Sequence, residues 1–476
     1  MRYCHSFHPS YKLFGIIISI LLTRTLLSAF SVVRRRRSNT NPFGASSSSM
    51  TTKTKMPVSE ESLSDYLSSV SPLWKAEIET KKFNIIMGNE AGDADSIISA
   101  LTLPYVKDVI LKDKNEYTNL PVVSIVRDDL PLRRDATLLL EMAGIKKDNL
   151  LFLDDVTQQS IDKERTVMTL VDHNKVRPEF VDAKVVEICD HHQDERQHLE
   201  DCSSRQIEFD NDSKQALVGS TCTLVAEKFM QHYDGRRDTP IDAQLGLALL
   251  GVILLDTMNM STSAGKGTPR DGKAIEFLQS QTRWEDLVVN NSMDPNVMAN
   301  LWGDRKNNAD PMTSINVTWF YEFLRDSKFD SSFWDSLSAR DALRMDYKRF
   351  ETTTNMAFGM SSVLQVDVAL KPNFLEEAEA YMTKEAEVDL LLVLTLVIID
   401  DEPKRSLMIL GNEELVSNLC DFLLHHESAA FLEISKESDE TKENATKVIK
   451  LKQGNPKGSR KQVAPVVLSF FPKNKI

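Results

Sequence analysis

The sequence predicts an α/β protein, with a parallel-sheet N-terminal domain and a smaller C-terminal domain built on a mixed sheet. Short apolar runs alternate with helical segments, the runs are continuous rather than alternating, and a polar stretch near Asn291–Asn316 separates two such series. Continuous apolar strands suit a sheet covered on both faces, and alternation with helices is typical of parallel sheets. The 476 residues are about three times a usual domain of about 150 residues, so two domains are expected.

The first series of apolar runs predicts the strands of the parallel sheet. Each run is four to six residues long and continuously apolar for most of its length, and the runs are Phe83–Met87, Val122–Val126, Leu150–Leu153, Val167–Val171 and Lys184–Cys189.

The segments between and after these runs have the spacing and caps of helices. Gly144 closes one of them and Ser220 is placed to cap another. The predicted helices are about Ser96–Ile110, Leu132–Ala143, Ser220 to about Tyr233, and Asp242–Thr257.

The second series predicts a mixed α/β domain after a linker that extends through Lys328–Ser332. Helices are expected over Ser336–Phe350, Glu376–Glu385 and Leu415–His426, and strands over Val363–Leu370, Leu390–Ile399 and Ser406–Leu410. The charged stretch Glu437–Asn444 predicts a solvated loop. We place the leader or disordered segment at 1–58, the first domain at 59–318 and the second at 319–476, with the active site in the cleft between the two domains.

Charge is distributed unevenly along the chain. The net charge is −13, yet no acidic residue precedes Glu60, and the residues from 60 onward carry 48 basic and 70 acidic side chains, a net charge of −22. Because nucleic-acid binding depends on neutralising phosphates with Lys and Arg, nucleic acid is not expected as a partner. The cysteines form no CxxC pair, which argues against a disulfide scaffold and a zinc ribbon.

The N-terminal leader predicts targeting. Leu13–Leu22 is apolar but shorter than the about 20 residues of a spanning helix, and Ser28-Ala29-Phe30 follows it. The stretch Ser31–Met56 is rich in Arg, Ser and Thr, as transit peptides are. A secretory-route or plastid address is therefore expected, without stable membrane insertion of the mature body. The alternative is a true start at Met50 or Met56.

Acidic residues and histidines cluster in four short motifs. They are GNEAGDADS at 88–96, VDHN at 171–174, CDHH at 189–192 and LDT at 255–257. Three of them follow predicted strands, and ligands bind at the carboxyl ends of parallel strands. Carboxylates with imidazoles suit Mn²⁺ or Mg²⁺, so the motifs together predict a metal site. Taken singly, Asp93 or Asp95 could simply cap the next helix.

Two other motifs are weaker. Gly265-Lys266-Gly267-Thr268 lacks the spacing of a phosphate-binding P-loop and a strand before it. Asp210-Asn211-Asp212 begins like an EF-hand loop, but Gln215 and Thr221 stand where glycine and glutamate are needed.

The four motifs, in this order, resemble those of the DHH phosphoesterase superfamily. Within it the chain resembles the branch of exopolyphosphatases and prune-type proteins, which is related to family II inorganic pyrophosphatases. Further similar segments are Ile125–Arg133 and Gly219–Thr221, with Arg344–Lys348 and Gly458–Gln462 resembling the basic signatures of the DHH-associated C-terminal domain. The resemblance spans about Lys82 to Val466.

The resemblance implies a hydrolase of phosphoanhydrides, most similar to an exopolyphosphatase, that uses two or more Mn²⁺ or Mg²⁺ ions and a metal-activated water. The implied metal ligands are Asn89, Asp93, Asp95, Asp172, His191 and Asp256. The implied catalytic residues are His192, Lys348 and Arg460. The implied substrate-binding residues are Arg127, His192, Lys348, Ser459, Arg460 and Lys461.

One position departs from the pyrophosphatase pattern. Those enzymes carry a metal-binding histidine where this chain has Asn89, and the exopolyphosphatase and prune-like members resemble this chain there. Polyphosphate is therefore expected as substrate. The alternatives are pyrophosphate, or a prune-like activity on short polyphosphates or cyclic nucleotides with a regulatory scaffold role. The resemblance implies a cytoplasmic protein, whereas the leader indicates another address.

Overall fold

The computed structural model describes residues 61–157, 162, 164–233, 240–289, 295–303, 314–352, 356–400, 402–441 and 446–471. The predicted leader lies outside these residues. Among them, no helix is both long enough and apolar enough to cross a bilayer.

The first half of the chain forms a parallel sheet, as the sequence predicts. Its strands are β1 Phe83–Met87, β2 Thr118–Val123, β3 Leu151–Phe152, β4 Thr166–Val171, β5 Lys184–Asp190 and β6 Ser204–Ile207. They lie in the order β3-β2-β1-β4-β5-β6, and each neighbouring pair is parallel. A small hairpin follows, with β7 Phe209–Asp210 and β8 Gln215–Ala216.

Helices cover this sheet and carry most of its core. They are α1 Leu63–Glu77, α2 Ala94–Tyr105, α3 Arg134–Met142, α4 Leu153–Thr157, α5 Thr221–Tyr233, α6 Ala243–Asp256, α7 Pro269–Gln281, α8 Trp284–Val289, α9 Pro295–Trp302 and α10 Val317–Lys328. The β1 side chains are all buried, which explains why the run reads as continuously apolar. α6 is buried along nearly its whole length, so it has no polar face.

The second half of the chain forms a mixed sheet. Its strands are β9 Tyr347–Glu351, β10 Ala357–Leu364, β11 Leu390–Ile399, β12 Glu402–Asn412, β13 Ile434–Thr441 and β14 Thr446–Gln453. Their order is β13-β14-β12-β11-β10-β9, and within it β10 and β11 are parallel while the other neighbours are antiparallel. The fold class predicted from the sequence is thereby confirmed.

Helices lie on both faces of the second sheet. They are α11 Ser331–Ser336, α12 Ala339–Met345, α13 Phe374–Ala380, α14 Glu413–His425 and α15 Arg460–Phe470. One core cluster packs α12 and α13 against Val363 and Val393, and another packs α14 and α15 against Leu392 and Ile409.

Three predictions for the second half were wrong in part. The helix predicted over Ser336–Phe350 ends at Met345, because Tyr347 and Phe350 belong to β9 and pack into the cores on its two faces. Their three-residue spacing imitates a helical face. The strand predicted over Val363–Leu370 begins at Ala357 and ends at Leu364, before Gln365 with its φ of 62°.

The third error concerns the charged stretch Glu437–Asn444, which was predicted to be a loop. Residues up to Thr441 belong to β13, an edge strand whose backbone pairs with β14. Charged side chains are common on such edges because they discourage pairing with other chains. The charged composition of this stretch therefore indicated correctly that its described side chains are largely exposed, but it did not indicate that the backbone forms a strand.

The polar stretch predicted as the linker contains α9. After it comes α10, and its Phe320 and Leu324 are fully buried in the core of the first half. The predicted boundary between residues 318 and 319 falls within α10. That boundary stays a prediction.

Candidate active site

Three of the four acidic motifs meet at one edge of the parallel sheet. β1, β4 and β5 are adjacent, so the segments that follow them lie side by side. Asp172 follows β4, Asp190 ends β5, and the loop after β1 leads into α2. The prediction that these three motifs lie at the ends of strands is confirmed.

The loop after β1 is tightly packed. A Cβ on Gly88 would lie 2.5 Å from the Cβ of Ser96, and Gly92 has a φ of +55°, so both positions favour glycine. The buried guanidinium of Arg133 donates to the carbonyl oxygens of Ala91 (2.6 and 2.8 Å) and Gly92 (3.2 Å). The Arg133 cation thus holds the loop in place.

Asn89 faces Asp172 with its amide nitrogen. Nδ2 donates to Asp172 Oδ2 at 2.7 Å, while Oδ1 accepts the backbone N–H of Ala91 at 2.9 Å. The backbone N–H of Ala91 can donate only to the amide oxygen of Asn89. These two hydrogen bonds therefore fix which end of the Asn89 amide faces Asp172. The group that faces the site is therefore a donor, and the role of Asn89 as a metal ligand stays a prediction that this arrangement does not favour.

Asp172 is buried and occupies a left-handed backbone conformation, with φ of 61°. Such conformations in residues other than glycine cluster at functional sites, and aspartate tolerates them better than most. Its Oδ2 also accepts from Ser96 Oγ at 2.7 Å, and its Oδ1 lies 3.4 Å from His191 Nε2. Burial would raise the pKa of Asp172, but the hydrogen bond with His191 and the charges of His192, His191 and Lys348 hold it far below its usual range.

Asp95, in the first turn of α2, contacts the start of α5. Its carboxylate accepts from Ser220 Oγ (2.8 Å) and from the backbone N–H groups of Thr221 (2.7 Å) and Cys222 (2.9 Å). The Gly219–Thr221 segment therefore holds Asp95 in place. Asp93 caps α2 through Ser96 N at 3.0 Å, so the capping role that the sequence left open for it is real.

The two histidines of the DHH motif are oriented by different partners. His191 Nδ1 donates to the carbonyl of Val218 at 3.0 Å, which leaves Nε2 to face Asp172 and Asp95, at 3.4 and 3.8 Å. A ligating histidine usually has its other ring nitrogen bound in this way. His192 Nδ1 lies 2.9 Å from Asp190 Oδ1.

Asp190 organises the turn that carries both histidines. Its Oδ1 accepts the backbone N–H groups of His191 (2.8 Å) and His192 (3.1 Å), and its Oδ2 accepts from Asn174 Nδ2 at 2.6 Å. The VDHN and DHH motifs are therefore joined by a hydrogen bond. Asp190, Asn174 and Ser96 support the site without having been predicted as site residues, and their places inside the motifs were the available signal.

The acids of the site repel each other. Burial raises the pKa of Asp95 well above its usual range, with further contributions from Asp172 and Asp256. Burial likewise raises the pKa of Asp256 to about 6, and Asp93 adds to the rise. Burial and Asp172 raise the pKa of Asp93, whereas Lys348 opposes the rise. A cation among these carboxylates would relieve the repulsion.

The donor set fits a divalent metal ion. Asp172, His191 and His192 each offer a ligand atom, and these atoms lie within 4.8 Å of one another. Asp256 Oδ2 is buried and makes no hydrogen bond to the described residues. An orphaned carboxylate oxygen is costly unless a cation or donor meets it. The oxygen and nitrogen donors suit Mn²⁺ or Mg²⁺.

Cations of the second half approach this cluster. Lys348 lies on β9 and Lys461 in the first turn of α15. Burial and the nearby Lys461 ammonium would lower the pKa of His191, but the hydrogen bond with Asp172 and the charges of Asp172 and Asp95 together raise it to about 9. Burial and the charge of Lys461 lower the pKa of His192 to about 4. Both lysines are thus close enough to act on the cluster electrostatically.

Arg460 and Ser459 make contacts within the second half. The guanidinium of Arg460 donates to Asp346 Oδ1 (2.7 Å) and to the carbonyls of Asp346 (2.8 Å) and Met360 (3.4 Å). Ser459 forms a capping box with Gln462 at the start of α15. These contacts fix the segment that presents Lys461. Roles of Arg460 and Ser459 in substrate contact stay predictions.

Arg127 is not brought to the cluster by any contact within the described residues. Its guanidinium donates to Asp155 Oδ2 (2.6 Å) and to the carbonyls of Lys147 (3.2 Å) and Leu150 (3.0 Å), and it lies over the ring of Phe152. These contacts stabilise the region of β3. The predicted role of Arg127 in substrate binding stays a prediction without geometric support.

Comparison with known proteins agrees with the motifs. Residues 84–252 match the family model described as the DHH family, N-terminal domain, and residues 327–470 match that of the DHHA2 domain. The mouse protein named "Exopolyphosphatase PRUNE1" is 27% identical over 401 residues, covering 82% of this chain and 75% of that protein. Its human counterpart is 27% identical over 395 residues, covering 82% and 76%.

Proposed function

Because this chain belongs to the DHH family and carries a DHHA2 domain, we propose that it is a metal-dependent exopolyphosphatase that releases terminal phosphate from inorganic polyphosphate. The observation that carries the proposal is the approach of Lys348 and Lys461 to a buried group of carboxylates and imidazoles. A metal site alone would suit many reactions. A metal site faced by lysines of another domain suits a substrate with several phosphates in a row.

Asp93, Asp95, Asp172, His191 and Asp256 would hold the divalent ions, and Asn89 would orient Asp172 by donating to its Oδ2. Bound divalent ions neutralise phosphoryl charge and make a water molecule acidic enough to attack phosphorus. Asn89 and Ser96 both donate to Asp172 Oδ2, so its Oδ1, which faces His191 Nε2, would be the oxygen that holds a metal ion.

The second half supplies the positive charge that the substrate needs. From residue 60 onward the chain has a net charge of −22, so polyphosphate would be repelled without local cations. Lys348 lies close to Asp93 and Asp172, and Lys461 to the two histidines. Lys461 also lies in the first turn of α15, where backbone N–H groups and the helix dipole favour anions.

His192 would act directly on the phosphoryl group. Its Nδ1–H is held by Asp190, which leaves the unprotonated Nε2 to accept a proton; once protonated, Nε2 would donate to a phosphoryl oxygen. Arg460 supports this cation group by fixing Asp346 and the start of α15.

A substrate panel tests the proposal. Phosphate release from polyphosphates of defined length, from pyrophosphate and from a cyclic nucleotide is measured with Mn²⁺ and with Mg²⁺. We expect the highest kcat/KM on polyphosphate. A higher value on pyrophosphate would indicate a pyrophosphatase, and turnover of the cyclic nucleotide alone would indicate a phosphodiesterase; either result contradicts the proposal.

A further inference from the structure

The edge strand β9 presents a backbone N–H group to the first half of the chain. Ser362 N donates to Asp346 O and Thr352 N donates to Met356 O, each at 2.9 Å. In this segment the backbone N–H and C=O groups of the even-numbered residues therefore point toward β10. Arg349 lies opposite Gly359 in the same register, so its N–H points away from the sheet. β9 is the last strand of the sheet, and β10 alone pairs with it in that sheet.

Glu90 meets this N–H group. Its Oε1 accepts from Arg349 N at 2.7 Å, although the two residues are 259 positions apart. An N–H on a strand edge needs a partner when it is shielded from water, and a carboxylate is a stronger acceptor than a neutral carbonyl. The contact therefore joins the loop after β1 to β9 at one defined point.

Both sides of this contact are tied to the candidate active site. Glu90 follows Asn89, which donates to Asp172, and Arg133 holds the carbonyl of Ala91 on the other side of Glu90. Lys348 precedes Arg349 on β9 and acts electrostatically on Asp93 and Asp172. Burial raises the pKa of the Tyr347 phenol and Glu90 adds to the rise, so Glu90 also lies close to the start of β9.

Two ion pairs between the two halves differ from this contact. Asp129 pairs with Arg344 on α12, and Lys175 lies 3.9 Å from Glu351, whose side chain is 57% exposed. Both contacts are between side chains, which can shift without moving a strand. The bond from Glu90 is made to the β9 backbone next to Lys348.

We propose that Glu90 is a positioning residue, which fixes the Lys348 ammonium over the metal-binding carboxylates by accepting the backbone N–H of Arg349. The inference rests on the proposed function, in which Lys348 contacts a phosphate of the substrate. Without the acceptor, β9 loses its only bond to the loop after β1 among the described contacts, and Lys348 loses its fixed distance from Asp93 and Asp172.

Kinetics of five variants on polyphosphate with Mn²⁺ test the consequence, three of them single substitutions at positions 90 and 351. Glu90→Ala removes the acceptor, and we expect at least a fivefold loss of kcat/KM. Glu90→Gln keeps an acceptor oxygen at the same reach, and we expect it within twofold of wild type. Glu351→Ala is the matched control, because its carboxylate lies on the same strand but is exposed, and we expect no change. If Glu90→Ala does not fold, Glu90→Asp, which is one methylene too short, takes its place.

The other two variants, Lys348→Ala and the double variant Lys348→Ala/Glu90→Ala, separate positioning from a general structural effect. In Lys348→Ala, adding Glu90→Ala should change kcat/KM by less than twofold, because the group that Glu90 positions is absent. A full fivefold loss in that background would overturn the proposal. Wild-type kcat/KM in Glu90→Ala, or equal losses in Glu90→Gln and Glu90→Ala, would also overturn it.

Hydrogen exchange measured by mass spectrometry tests the contact without any turnover. The peptide containing residues 347–351 should exchange faster in Glu90→Ala and at the wild-type rate in Glu90→Gln. Unchanged exchange in Glu90→Ala would overturn the proposal. If wild type does not hydrolyse polyphosphate but the exchange pattern is as expected, the proposed function fails while the contact made by Glu90 is supported.

Discussion

The two halves of the candidate active site are built in different ways. The acids and histidines of the first half are buried or half-buried, and neighbours along one sheet edge fix them: Asn89 and Ser96 hold Asp172, and the start of α5 holds Asp95. The lysines of the second half extend from an edge strand and from the first turn of a helix. Their distance from the acids depends on how the second half packs on the first.

This difference implies a division of labour. Loss of a buried carboxylate should remove metal and activity together, because the ligand geometry cannot be replaced from nearby. Loss of a lysine should leave the metal bound and weaken the hold on the substrate.

Asp172→Asn should abolish activity. Asparagine tolerates the left-handed backbone at this position and has the same shape, so the fold should survive, but the neutral amide lacks the negative charge that would hold a divalent cation. We expect a loss of kcat/KM above about 100-fold and a lower Mn²⁺ content, since even supporting partners of ligands are worth about 10–100-fold. Phosphate release and metal analysis check it, with Asp212→Asn as the exposed control. Near wild-type turnover would contradict the ligand assignment.

Lys348→Ala should weaken substrate use while metal content stays at the wild-type level. Charge-assisted contacts contribute about 1.5–3 kcal/mol, so kcat/KM on polyphosphate should fall at least about tenfold, mainly through KM. Steady-state kinetics and metal analysis on the same preparation check this. Lys404→Ala, an exposed lysine of the second half, is the control. Loss of metal in Lys348→Ala would contradict the assignment of metal binding to the first half and of substrate binding to the lysines of the second half.

Asn89→His should strengthen metal binding and shift preference toward pyrophosphate. Imidazole supplies a ligand nitrogen where the amide now donates to Asp172. We expect a change on the order of tenfold in the apparent Kd for Mn²⁺, which calorimetry can measure. Asn211→His, at an exposed position, serves as the control. Unchanged metal affinity together with an unchanged substrate ratio would show that position 89 does not set the metal site.

A chain beginning at Met56 should keep full specific activity, the smallest effect expected. Every motif lies beyond Lys82, and α1 begins only at Leu63. Phosphate release per mole of folded protein, compared with the full chain, is the measurement. Reduced activity of a folded Met56 chain would place part of the site in the leader.

The first half was predicted more accurately than the second because its signals are local. Asp172 and Asp190 directly follow apolar runs, and the parallel sheet then brings their strand ends together. β9 gave no comparable signal, since its residues pack on two faces at a spacing that also suits a helix. The contact between Glu90 and Arg349 spans 259 residues and involves a backbone group, so no side-chain pattern could indicate it.

The fine structure of the site also lay beyond sequence reasoning. A weak metal contact by Asn89 stays a prediction, and the sequence could not show that the Ala91 N–H donates to its amide oxygen. Substrate binding by Arg127 stays a prediction, and nothing in the sequence indicated that its guanidinium donates to Asp155 Oδ2 at 2.6 Å. The orientation of a side chain depends on which hydrogen-bonding partners surround it in the folded protein. A sequence motif gives the residue type but not those partners.

Removal and return of the metal tests the central claim most directly. Wild-type protein is dialysed against a chelator, and phosphate release from polyphosphate is measured before and after Mn²⁺ is added back, with Asp172→Asn treated in parallel. The account predicts that release stops in the chelated protein, returns with Mn²⁺ in wild type, and stays absent in Asp172→Asn. Release that continues at its original rate after the metal has been removed would contradict it.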